Sequence, residues 1–99
     1  MLFNAPKLLL LGLISSVSAQ AASNCSVKGY DNGKHLAYYV DKNITTPAAC
    51  KAFCLSSTVA KCSSFAVGGG CLLYNVPVNG NVVAMNTSTF TFWDEACTV

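Results

Sequence analysis

The chain has 99 residues, of which 10% are charged: six lysines, no arginine and four acidic residues, for a formal net charge of +2. Nucleic acid and anionic membrane surfaces both demand clustered lysine or arginine, and no such cluster exists, so both are excluded as partners. The length allows one domain, of a size at which an apolar core alone gives a thin stability margin.

Residues 1–19 have the three-part form of a secretory leader. Lys7 is the only charge. An apolar run follows, Leu8-Leu9-Leu10-Leu11-Gly12-Leu13-Ile14, and then small residues from Ser15 to Ala19. Val17 and Ala19 suit the shallow pockets of signal peptidase, which places cleavage after Ala19, with a cut after Ala21 as the second choice. A membrane anchor is the competing reading. It needs roughly 20 apolar residues, and this run breaks into serines well before that. Residues 20–99 are therefore expected to form one extracellular domain, with no membrane insertion after cleavage.

The first strand is expected over His35-Leu36-Ala37-Tyr38-Tyr39-Val40, with Leu36, Tyr38 and Val40 facing inward. Thr46-Pro47 then starts a helix: a hydroxyl cap, and a proline where its missing N–H does no harm. Good helix formers continue to Leu55, and Ser56-Ser57-Thr58 ends the run. Cys62–Val67 and Cys71–Tyr74 read as two strands joined by Gly68-Gly69-Gly70, a strong hairpin signal. Residues 75–86, with Pro77 and Asn79-Gly80-Asn81, read as a loop that includes one additional short strand at most, Val82-Val83-Ala84. The last strand is expected over Thr89–Asp94. The predicted class is α+β, with one helix across an antiparallel sheet of four or five strands.

All six cysteines follow the leader: Cys25, Cys50, Cys54, Cys62, Cys71 and Cys97. An even number in a short secreted chain reads as a disulfide framework. Zinc is the alternative, but the two-residue knuckle spacing of structural zinc sites is absent. Cys50 and Cys54 lie one helical turn apart on one face. Across the glycine turn Cys71 lies opposite Ala66 or Val67, which puts Cys62 about 13–16 Å down the ladder. Disulfide Cα atoms must lie within about 7 Å, so each hairpin cysteine reaches the helix instead. The short helix-to-strand loop pairs Cys54 with Cys62. Cys50 is left for Cys71, and Cys25 with Cys97 closes the ends.

One helix bearing Cys50-Lys-Ala-Phe-Cys54, a hairpin bearing Cys62-Ser-Ser-Phe-Ala-Val and Cys71-Leu-Leu-Tyr, and a closing Phe-Thr-Phe-Trp-Asp-Glu-Ala-Cys97 together resemble the PAN/Apple domain. The nearest form is the short single-domain type secreted by filamentous fungi. The resemblance runs from Cys25 to Cys97 and shares the nested disulfide order. It implies a binding module for extracellular proteins or glycans, without catalysis and without a cofactor.

The residues themselves offer no catalytic constellation. His35 is the only histidine and has no orienting partner in sequence. Asp94 and Glu95 point to opposite faces of a strand and cannot share a proton-transfer task. With all cysteines in bridges, no metal site is expected. Three Asn-X-Ser/Thr sequons occur, at Asn24, Asn43 and Asn86. Asn43 and Asn86 fall in predicted surface segments, whereas Asn24 precedes a bridged cysteine. Strand alternation turns Tyr39 and Trp93 outward, which makes them an aromatic platform for a sugar or protein, with Asp94 beside it. The competing reading packs Trp93 under the chain termini as core. Two function classes follow: a binding module for glycan or protein, or a protease-resistant effector or toxin-like protein. Aromatic side chains left on the surface favour the first.

Overall fold

A computed structural model describes residues 23–99, so the leader and both cleavage points lie outside the described residues. The one helix among the described residues, α1 (Pro47–Leu55), starts where the hydroxyl–proline pair requires. The Thr46 side chain accepts from Ala49 N at 3.3 Å, and Pro47 opens the first turn. Ser56 caps the other end, its N–H donating to Ala52 O.

Six strands form one antiparallel sheet: β1 (Val27–Asp31), β2 (Tyr39–Asp41), β3 (Ser64–Val67), β4 (Cys71–Tyr74), β5 (Val82–Ala84) and β6 (Thr91–Asp94). Their spatial order is β2-β4-β3-β6-β1-β5. The fold is thus α+β, with two differences from the sequence expectation. The sheet has six strands because β1 is added beside β6. The strand expected from His35 begins only at Tyr39, because β2 pairs with β4 over just Tyr39–Asp41. Leu36 and Val40, expected inside, are 68% and 51% exposed.

The hairpin register is Val67 opposite Cys71 and Ser64 opposite Tyr74. Gly69 sits at the turn with φ +94°, a left-handed conformation that side-chain-bearing residues avoid. Gly29 in β1 has a different reason to be glycine: a Cβ there would lie 2.1 Å from the Val83 carbonyl oxygen of β5.

The registers carry two rows of side chains across the sheet. Tyr39, Leu73, Phe65 and Trp93 form one row, on the face that α1 covers. Val40, Leu72, Ala66, Phe92 and Val27 form the other, on the opposite face. Each face has its own core. Under α1, Phe65, Leu73 and Trp93 pack with Cys50, Cys54, Cys62, Cys71 and Cys97. On the other face, Ala66, Tyr74, Phe92 and Val78 pack together with Val76 and Val82. The helix therefore covers one side and the segment after β4 covers the other.

All six cysteines are bonded, as Cys25–Cys97, Cys50–Cys71 and Cys54–Cys62. The helix pair reaches the offset hairpin pair, and the third bond joins the two ends of the domain. Lys51 of α1 adds a hydrogen bond from its ammonium to the Cys97 carbonyl.

Candidate functional site

The aromatic platform expected from Tyr39, Trp93 and Asp94 is not a surface of this fold. Tyr39 and Trp93 do share a sheet face, but it is the face beneath α1. Strands β4 and β3 separate them, a span of about 14 Å at the usual strand spacing. Trp93 is only 9% exposed and stacks on Phe65 with ring centroids 5.5 Å apart. Its neighbour Phe92 is 1% exposed on the other face. Alternation failed to place an outward face on β6 because a central strand covered on both sides has two inward faces. The reading of Trp93 as core is the one that fits.

Asp94 is likewise taken up by the fold. One carboxylate oxygen accepts from Asn24 N at 2.7 Å, the other from Val78 N at 2.8 Å. The Asp94 and Asn24 backbones are bonded as well, Asp94 N donating to Asn24 O. Asp94 is thus a structural clamp between the N-terminal segment, β6 and the lower cover. His35 is exposed, and no side-chain hydrogen bond engages it among the described residues. Glu95 is half-buried beside Lys61, Cys54 and Cys62, around a polar recess of about 290 Å³.

Tyr39 alone of the three remains available, 44% exposed at the sheet edge. Its ring tilts against Phe53 of α1, centroids 5.3 Å apart. These two rings, with Leu73, Val59 and the residues Ser56, Ser57 and Thr58, line a cleft of about 170 Å³. No charged side chain lines it. The loop after α1 is held to the segment before β2 by hydroxyls. Tyr38 Oη lies 2.8 Å from Ser57 Oγ, and both groups face the Ala60 carbonyl, at 3.2 and 3.1 Å. Val59 of the cleft lining is 74% exposed, and Leu55, beside the polar recess, is 60% exposed.

Phe53, Val59 and the three hydroxyl residues were not singled out as binding residues from sequence. The available signal was Val59, the one large apolar side chain in the run from Ser56 to Lys61. Phe53 was hidden by its position between two bridged cysteines, where a core role is the natural reading.

The sequons differ in setting. Asn43 and its hydroxyl partner Thr45 are both exposed. Asn86 is exposed, but Ser88 of its sequon is 3% exposed, donating from Oγ to Gly29 O at 2.6 Å and accepting from Phe90 N at 2.9 Å. Asn24 is half-buried, with its N–H held by Asp94.

Comparison with known proteins returns no match: no family model covers the chain, and no curated protein or solved structure is significantly similar to it.

Proposed function

We propose that the chain is a secreted, non-catalytic binding module of PAN/Apple type whose ligand is an extracellular carbohydrate, held in the cleft between Tyr39 and Phe53. The observation that carries this reading is the exposed Tyr39 ring beside the half-buried Phe53 ring, with the exposed Thr58 hydroxyl and no charge in the lining. Aromatic faces pack on the C–H face of a sugar ring, and serine or threonine hydroxyls both donate and accept hydrogen bonds. An uncharged lining suits a neutral sugar. The cleft is smaller than the roughly 300–1,000 Å³ of sites that enclose a ligand. It therefore suits one ring laid against its wall, as on an extended polysaccharide.

Secretion is the expectation from the leader, and three disulfides in a small domain accord with it. Within the described residues no helix is long and apolar enough to cross a membrane. The surface aromatics Tyr39 and Tyr30, 44% and 43% exposed, favour a binding module over a toxin-like protein whose aromatics are all interior. N-linked glycans are proposed at Asn43 and Asn86. At Asn86 the transfer must precede folding, because the native fold engages the Ser88 hydroxyl.

The test is a pull-down of the folded, oxidised protein on insoluble cell-wall polysaccharides, followed by titration with soluble oligosaccharides. Tyr39→Ala should weaken binding about tenfold or more, the equivalent of about 1.4 kcal/mol, with an unchanged disulfide map. Wild-type affinity in a folded Tyr39→Ala protein, or binding to none of the polysaccharides, would sink the proposal.

A further inference from the structure

The sequence contains two Asn-Gly pairs, Asn32-Gly33 and Asn79-Gly80, and the fold treats them oppositely. We infer that Asn79 is a site of spontaneous, intramolecular deamidation in the native protein and that Asn32 is protected from it. The Gly80 backbone nitrogen attacks the side-chain amide carbon of Asn79, forming a new carbon–nitrogen bond. The bond from that carbon to the side-chain nitrogen breaks, and ammonia leaves with the proton that Gly80 gives up. Water then opens the five-membered imide at one of its two carbonyls, giving aspartate or isoaspartate. No oxidant, reductant or enzyme enters the balance.

Glycine makes both pairs reactive, since no side chain blocks the approach of its nitrogen. The difference lies in what each pair is bonded to. Gly33 N donates to Asp31 Oδ1 at 3.0 Å, so the attacking nitrogen is engaged, and by a negative group that opposes loss of its proton. The Asn32 side chain is fixed at both ends. Its Nδ2 donates to Gly80 O at 3.0 Å, and its Oδ1 accepts from Lys34 N at 3.0 Å. Its amide carbon cannot swing onto Gly33 N while those bonds hold. Asn79 is exposed, and among the described residues neither its side chain nor Gly80 N has a hydrogen-bond partner.

The position gives the change a structural consequence. Asn81 N and Val82 N both donate to Val78 O at 3.0 Å, which closes the turn around Asn79 and seats Val78, 3% exposed, on the lower core. Isoaspartate inserts a methylene into the main chain inside that turn. The cover over Phe92 and Tyr74 then loosens while the disulfide side stays as it was.

The experiment incubates the oxidised, folded protein at mildly alkaline pH and maps aspartate and isoaspartate by peptide mass spectrometry. A second sample, reduced and held in denaturant, is treated in parallel. In the folded protein, conversion at Asn79 should exceed that at Asn32 by roughly tenfold or more, the factor expected from one or two hydrogen bonds that must break first. In denaturant the two sites should convert at similar rates. Asn79→Gln should remove the folded-state product, and amide exchange at Val78 and Val82 should speed up in the converted fraction. Equal conversion at the two sites in the folded protein, an unreactive Asn79 there, or the same bias persisting in denaturant would each overturn the inference.

Discussion

On the helix side, the sheet is tied to its cover by covalent bonds; on the other side, the cover is a short run of chain held by packing and hydrogen bonds without a cross-link. Cys50–Cys71 and Cys54–Cys62 fasten α1 to the hairpin, and Cys25–Cys97 closes the ends beside it. Opposite, the segment between β4 and β5 is held by Ser64 Oγ donating to Val76 O at 2.7 Å and by Val78 N donating to Asp94 at 2.8 Å. The contrast follows from what each cover must give up to be ordered. A nine-residue helix is marginal by itself in water, and the whole segment that carries it from β2 to β3, residues 42–63, is far longer than the lower cover, residues 75–81. The lower cover crosses from β4 to β5 in that short span, so little chain has to be ordered. Entropy is removed by cross-links where it is large and by local hydrogen bonds where it is small.

The hardest way to break this comparison is full reduction. With sequence separations of 72, 21 and 8 residues, the loop-entropy model assigns roughly 4, 3 and 2.5 kcal/mol to the three bridges. Together they rival the entire stability of a small domain, about 5–15 kcal/mol. Strands β3 and β6 belong to both cores, so the lower face cannot persist without the upper. Hydrogen exchange after reduction should show protection lost at Val78 as completely as at Phe65. A protected lower face in the reduced protein would mean that the two cores are separate folding units.

Trp93→Ala and Phe92→Ala probe the same strand from its two faces, and each should cost about 3–5 kcal/mol in denaturant titrations. Near-equal losses are the signature of a strand buried on both sides. If Trp93→Ala were nearly neutral, Trp93 would be a surface residue and its stacking on Phe65 incidental.

This strand also shows where sequence stops being informative. The helix was legible because Thr46-Pro47 is a local chemical signal. The hairpin was legible because three glycines separate two runs of strand formers. The bridges followed from the geometry of those two elements. β1 was not legible: Val27, Gly29 and Asp31 share a face, and nothing apolar alternates there. Its glycine answers to the Val83 carbonyl, a neighbour 54 positions further along the chain. The candidate site was half legible. Tyr39 was named because alternation turned it outward. Its partner Phe53 comes from a separate element, and only the packing of α1 brings the two rings together.

Asp94→Ala tests the hydrogen-bonded side directly. It removes the acceptor for Asn24 N and Val78 N, both backbone groups in partly buried positions. A loss of about 2–3 kcal/mol is expected, the usual range for hydrogen bonds to a charged group. Amide exchange should rise at Val78 and Asn24 while α1 remains protected. A uniform rise across the molecule would show that the lower cover has no local stability of its own.

The smallest expected effect is also the one with a sign that pH can reverse. Tyr74 is 1% exposed, and its hydroxyl donates to Asp31 Oδ2 at 2.8 Å. Burial, and then the hydrogen bond and negative charge of Asp31, push its ionisation well above the usual tyrosine range. Tyr74→Phe should cost about 1 kcal/mol at neutral pH, the net worth of one such bond. The raised value means that the native state keeps its proton where the unfolded chain has lost it. The resulting stabilisation is complete below about pH 10, the ordinary tyrosine value, and is lost as the pH climbs from there toward the native value. Over that window the wild type should shed up to about 1.4 kcal/mol per pH unit through this residue, and Tyr74→Phe should not. The gap between the two proteins should therefore narrow, close and then reverse as the pH climbs, as read by denaturant midpoints taken quickly enough to keep the disulfides intact. A gap that stays constant from neutral to alkaline pH would mean that the fold does not hold the Tyr74 proton against ionisation.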